Sequence, residues 1–359
     1  MSVRRRPPSA RATVGCVVAL ALGAVGVTGC ARSAGDDAGA RPARTAPSIA
    51  PAASVPSSSS AASPAPMAID ARYAVGVRTE TYVDVSRPTS AVGRYPGAPN
   101  RTFPVTVWYP ATGEPGVVPQ ADAPLARAGG PFPLVLFAHG YAVTPDFYDA
   151  LLGRWAAAGY VVAAPTYPLL SGVPAGPSHQ DYLEVFADTE FVLSRVLADY
   201  ARATSAHPFA GAVDSARVAT AGQSDGEIPA FGLGFLVCCA NPQVRSVVAM
   251  AGNLGNLNNP VRRDTGIPVL HIMGDADELQ PYPDAIAWDR ANLTAPRWLL
   301  TLRGGSHAAP YRSPDDALFA GVVETTVAFL DGTLKGHPER LAAIDEYAAA
   351  HGDRFRLER

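Results

Sequence analysis

Lysine is nearly missing from this chain: Lys335 is the only one, and arginine carries the other positive charges. Basic residues number 29 against 32 acidic, a formal net charge of −3. A nucleic-acid surface needs a basic excess, so nucleic acid is not an expected partner. Cysteine is scarce as well. Four in 359 residues do not make a disulfide-dense scaffold, and their spacing has no two-plus-two pattern that would hold zinc. No set of His, Asp, Glu and Cys has metal spacing, and neither a phosphate loop nor a dinucleotide fingerprint occurs. No metal and no cofactor are therefore expected. What is abundant is alanine, glycine, proline and apolar surface, with 48% hydrophobic residues. A folded region of about 270 residues can bury a large core without staples.

The N-terminus reads as a targeting segment. Arg4, Arg5 and Arg6 form a positive start, and residues 14–27 are apolar and uncharged. That run falls short of the ~20 residues of a membrane span but suits a signal-peptide core. It ends in Val27, Thr28, Gly29 and Cys30, which resembles the bacterial lipoprotein box, where the Cys is lipidated and becomes the mature N-terminus. The alternative is an ordinary cleaved signal with an incidental Cys. Residues 31–66 are Ala, Pro, Ser and Gly with few large apolar side chains, too little to offset ordering entropy. The expected organisation is a signal peptide over 1–29 and a lipidated Cys with a disordered tether over 30–66. A catalytic domain over 67–335 and a helical tail over 336–359 complete it. The expected location is the extracytoplasmic face of the cell membrane, held by the lipid, or secreted if Cys30 carries none.

From residue 72 on, apolar strand-like runs alternate with helical patterns. Strands are predicted at 72–85, 101–111, 133–140, 160–168, 216–222, 244–252, 268–274 and 297–302. Helices are predicted at 145–158, 179–204, after 226, at 284–292 and 313–334, with a further one at 338–350. Near-continuous apolar strands alternating with helices indicate an α/β fold, a mostly parallel sheet covered on both faces.

The chemistry concentrates at three places. Gly222-Gln223-Ser224-Asp225-Gly226 is a G-x-S-x-G motif directly after a buried strand and before a helix, the context of a nucleophile elbow. A serine hydroxyl needs a base beside it, and His307 in GGSH, beyond strand 297–302, is the candidate. His139 is read as shaping the loop after its strand and His271 as a satisfied core residue. His179, His207, His337 and His351 are read as solvated. Asp275 and Asp277 both come after the strand ending at Gly274, where a carboxylate can orient the histidine; residue type alone leaves the two open. The order Ser, Asp, His differs from both main protease orders. The N–H of Asp225, next to the nucleophile, is one expected oxyanion donor. Cys238 and Cys239 are either a vicinal disulfide or, as the more ordinary reading, two small buried residues. Phe147, Tyr148, Tyr167, Trp288 and Tyr311 are read first as packing and second as pocket wall.

The segments FPVTVWYPA, PFPLVLFAHGYAVTPDFYDALLGRWAAAGYVVAAPTYP, VATAGQSDG, PVLHIMGDADE and GGSH resemble the α/β-hydrolase superfamily. Within it they are most similar to the dienelactone-hydrolase-like, platelet-activating-factor acetylhydrolase-like and chlorophyllase/cutinase-like serine esterases. The resemblance runs over roughly residues 72–334. Its G-x-x-D spacing from Gly274 implies Asp277 as the triad acid and leaves Asp275 to the turn. Its loop after the FAHG strand implies the backbone N–H of Tyr141 as the second oxyanion donor. Two positions depart from the pattern: Gln223, where many members carry His, and Asp225, where polyester hydrolases carry Met. The second argues against a polymer-degrading enzyme. The expectation is an exported Ser224–His307–Asp277 hydrolase of small carboxylic esters, of undetermined oligomeric state. The same triad would also serve acyl transfer or lactone or amide cleavage, and a non-catalytic binding lipoprotein is the reading from another class.

Overall fold

Apolar runs bounded by Gly, Pro and Asp become strands here, and all of them join one sheet among the described residues. The structure, a computed structural model, describes residues 71–359 except 174–175, 257–258 and 295. The signal segment, Cys30 and the tether lie outside the described residues. The strands are β1 (Ala74–Asp84), β2 (Arg101–Ala111), β3 (Pro119–Ala121), β4 (Phe132–Ala138), β5 (Val161–Pro165), β6 (Val213–Gln223), β7 (Val244–Met250), β8 (Val269–Gly274), β9 (Arg297–Leu302) and β10 (Phe355–Glu358). Their order across the sheet is β10-β9-β8-β7-β6-β4-β5-β2-β1-β3. From β5 through β4, β6, β7 and β8 to β9 every pairing is parallel. Antiparallel β2 and β1 extend one side, and antiparallel β10 the other.

The helices are α1 (Asp149–Ala157), α2 (Glu184–Val196), α3 (Glu227–Phe235), α4 (Tyr282–Asn292), α5 (Ala309–Arg312), α6 (Phe319–Leu334) and α7 (Glu339–Ala350). They cover the sheet on both faces, which is why β4 is buried along its whole length. Its side chains alternate: Val135 and Phe137 enter the core with Trp155 of α1 and Phe329 of α6, while Leu134 and Leu136 enter the core with Val192 of α2 and Phe231 of α3. This is the mostly parallel, doubly covered α/β sheet expected from the alternation, and the arrangement that the resemblance to α/β-hydrolases implies. Because β5 lies on one side of β4 and β6 on the other, the chain reverses its winding between β4 and β6. In such sheets ligands bind beyond the C-terminal strand ends at that crevice.

Two expectations are corrected. The helix expected at 338–350 is present as α7, but the segment after Lys335 is not helical throughout, since it also carries β10. α7 packs on α6, with Ile344 and Ala348 in the core, and β10 then adds a strand to β9 while Phe355 fills the core beside Gly321. Residues 336–359 therefore belong to the same compact unit, Pro66–Arg359. Cys238 and Cys239, read first as buried small residues, form a disulfide with an S–S distance of 2.04 Å. The pair comes after α3 in a turn that returns Asn241 N–H to Leu233 O, and Cys238 is exposed there.

Candidate active site

The site grows from the C-terminal ends of β4, β6, β8 and β9. β6 ends at Gln223, and a single tight turn, Ser224–Gly226, leads into α3. Ser224 sits at φ 57°, a left-handed conformation that costs a non-glycine residue about 1–3 kcal/mol and persists only where the surroundings enforce it. Two close approaches enforce it. A Cβ at Gly222 would lie 2.0 Å from Gly226 O, and one at Gly226 would lie 2.1 Å from Ala138 O. The motif's glycines are thus steric requirements of folding the turn back over β4 and β6.

Ser224 Oγ lies 2.9 Å from His307 Nε2. On the far side of the ring, His307 Nδ1 lies 3.0 and 2.9 Å from the two oxygens of Asp277. The Asp277 side chain is fully buried, and its Oδ1 also accepts the N–H groups of Leu279 and Gln280 at 2.9 and 2.8 Å. A carboxylate so placed accepts Nδ1–H, which fixes the tautomer with a lone pair on Nε2 facing the serine. Asp275 is turned away: its Oδ1 accepts Gly304 N–H at 2.6 Å and braces the loop after β9. Geometry therefore separates two aspartates that residue type left open. The fifth residue of the expected set, Tyr141, is next to Gly140, whose added Cβ would meet Ser224 Cβ at 3.2 Å. The Gly140–Tyr141 backbone thus lies against the serine, as Asp225 does by sequence.

Several neighbours escaped the sequence reading. Gln223 Nε2 donates to His307 O at 2.8 Å, and Gln223 Oε1 accepts from Tyr148 Oη at 2.7 Å. Tyr148 Oη accepts in turn from Gly140 N at 3.1 Å. Burial raises the Tyr148 phenol well above its ordinary range, so it stays a donor. One buried chain of hydrogen bonds thus joins the base loop, the elbow and the loop after β4. Glu278 Oε2 accepts His307 N–H at 3.0 Å. A Gln next to the motif serine was visible in the sequence, but its partners lie on other loops.

The remaining histidines divide differently from expectation. His139 does shape its loop: Nδ1 donates to Gly140 O at 2.7 Å and Nε2 accepts Tyr167 N–H at 3.0 Å, and burial lowers its pKa to about 4. His271 is buried in the core, bonded through Nδ1 to Asp289 and 3.3 Å from Glu227. Burial opposes its charge, but the two carboxylates outweigh it and raise its pKa well above the ordinary value. His179 and His207 are not simply solvated. His207 bonds Glu80 at 2.8 Å, and His179 bonds Asp225 at 2.6 Å. Tyr148, Tyr167 and Tyr311 are fully buried, in line with packing. Among the described residues no cluster of three or more His, Cys, Asp or Glu could hold a metal ion.

Comparison with known proteins bears on the family and the fold. The family model described as Chlorophyllase matches residues 122–252, a stretch that contains β4, the elbow and β7. Among solved structures, the ferulic acid esterase from Streptomyces cinnamoneus aligns over 82% of this chain and 98% of that one, at 23% identity and a TM-score of 0.59. No curated protein matches the chain. The chain has the α/β-hydrolase fold. The family match supports an ester hydrolase in particular, while the structural likeness is one of fold.

Proposed function

We propose that the protein is a serine hydrolase that cleaves carboxylic esters through an acyl-enzyme. Ser224 attacks the acyl carbon as His307 Nε2 takes its proton. His307 then passes that proton to the leaving alcohol, and Asp277 holds the ring and stabilises its cation. The N–H groups of Tyr141 and Asp225 receive the negative charge that develops on the carbonyl oxygen. Water enters, gives a proton to His307 and attacks the acyl carbon. Release of the acid returns the proton to Ser224 Oγ. The observation that carries the reading is the unbroken relay of 2.9 Å from Ser224 to His307 and 2.9–3.0 Å from His307 to Asp277, on an elbow serine at φ 57°.

The names of the family and of the structural neighbour favour an ester bond as the target over an amide, and leave the acid open. The lipoprotein box supports a mature protein anchored through Cys30 outside the cytoplasmic membrane, with residues 31–66 as a tether. A protein beginning at Met67, assayed on p-nitrophenyl esters of graded acyl length, tests the activity. Turnover of short acyl esters is expected. Absence of turnover on every ester, in a folded protein, overturns the reading.

A further inference from the structure

The two residues whose N–H groups would hold the oxyanion stand 84 positions apart in sequence, on loops after β4 and β6. Their spacing has to be held by something. Tyr141 is partly exposed, and the next residue, Ala142, is at φ 62°, a conformation that needs outside support in a non-glycine residue. That support comes from the chain between β5 and α2. Leu170 O accepts Ala142 N–H at 2.9 Å, and Pro177 O accepts Tyr141 Oη–H at 3.0 Å. The Tyr141 ring lies flat on the His179 ring, centroids 4.1 Å apart and planes 12° apart. On its other side His179 donates from Nε2 to Asp225 Oδ2 at 2.6 Å. Tyr182 Oη donates to Asp225 O at 3.1 Å, and its phenol stays protonated because burial, then Asp225 and Glu227, raise its pKa. The turn carrying these residues is anchored from below: Asp181 accepts from the buried Arg101 guanidinium at 2.5 Å.

We propose that His179 is a positioning residue that clamps the two halves of the oxyanion hole, an inference that rests on the esterase reading above. It acts in two ways. Its ring fixes the Tyr141 loop relative to the elbow, so that both N–H groups are held before the charge appears. Preorganised donors stabilise a transition state because they need no reorganisation. Its Nε2–H also occupies the Asp225 carboxylate. A free carboxylate on the residue that supplies one donor would oppose the developing negative charge at short range.

Steady-state hydrolysis of a short p-nitrophenyl ester, the rate of fluorophosphonate labelling and the melting temperature test this in wild type, His179→Ala, His179→Gln and His179→Ala/Asp225→Asn. His179→Ala should lower kcat by about ten- to a hundredfold, less than the ~10²–10³ lost when a donor is removed outright, with KM changed less than about threefold. Labelling should slow in proportion but reach full stoichiometry. His179→Gln, whose amide can still donate to Asp225, should recover much of the rate. The double variant should recover part of it by removing the carboxylate that has lost its hydrogen-bond donor. An unchanged kcat in His179→Ala, or a loss explained by an unfolded fraction, overturns the inference and leaves the esterase reading intact. A double variant slower than His179→Ala overturns the charge argument. A wild type that neither hydrolyses esters nor labels overturns the esterase reading and this inference with it.

Discussion

Replacing Asp277 by Asn removes one charge and keeps the shape, and the surrounding hydrogen bonds dictate how the amide must sit. Asp277 Oδ1 accepts from Leu279 and Gln280 N–H at 2.9 and 2.8 Å, so the amide oxygen of an Asn stays on that side. Its NH₂ then faces His307 Nδ1, which must turn a lone pair toward it. The ring proton moves to Nε2 and points at Ser224 Oγ, where a base is needed. The same change costs about 10⁴ in kcat in a serine protease with this type of triad. A loss of at least about 10²-fold is expected here, about 2.7 kcal/mol or more in activation free energy. The control is Asp275→Ala, two residues away. It deletes only the bond to Gly304 N–H, with about 1 kcal/mol of stability and little effect on turnover. Measuring kcat on a soluble ester and the melting temperature for both variants decides it. Asp277→Asn with kcat within tenfold of wild type, or Asp275→Ala as the one that loses turnover, would show that the tautomer argument is wrong.

Three further perturbations have expected outcomes. The pKa of His139 is lowered by burial from its ordinary 6.5 to about 4, so the folded state binds fewer protons there than the unfolded chain. Its stabilising contribution is present above pH 6.5 and lost as pH falls toward 4, by about 3 kcal/mol across that window. Melting temperature should fall with acid more steeply in wild type than in His139→Gln, and parallel curves would count against it. Arg101→Met leaves Asp188, fully buried and bonded to Arg101 at 2.7 and 2.5 Å, short of its main partner. Urea unfolding should show a loss of about 3–5 kcal/mol, and a loss below about 1 kcal/mol would mean that the pair behaves like an exposed one. Cys30→Ala should move the full-length protein out of the detergent phase, while a chain beginning at Met67 stays folded and active. A Met67 chain that folds without activity refutes the tether.

The parts of this protein legible in the sequence are those set by local pattern. β2 and β9 occur at the bounds that their apolar runs mark, and the elbow is legible because its glycines answer a local clash. Helix starts were less legible. The helical pattern from His179 begins its α-helix only at Glu184, because His179 and Asp181 are drawn into distant contacts with Asp225 and Arg101. The pattern from Ser313 begins at Phe319, since Asp316 first turns back to cap Leu318 N–H. β10 had a period-2 signal, with Phe355 buried and Arg356 exposed, but four residues after a helix are easily absorbed into a tail. The Gln223 chain and the His179 clamp left no local signal, because each joins residues tens of positions apart. Asp277 over Asp275 was legible only through the family's spacing; in the structure the direction of each carboxylate separates them.

Every step of the proposed reaction depends on Ser224 being a nucleophile activated by His307. Intact-mass measurement of the protein beginning at Met67 after fluorophosphonate treatment, with peptide mapping of the adduct, reads this out without any choice of substrate. One adduct per chain is expected on Ser224, none in Ser224→Ala, and strongly slowed labelling in His307→Ala, all with unchanged melting temperatures. An adduct that persists in Ser224→Ala, or a folded wild type that takes up no label, would exclude Ser224 as the nucleophile.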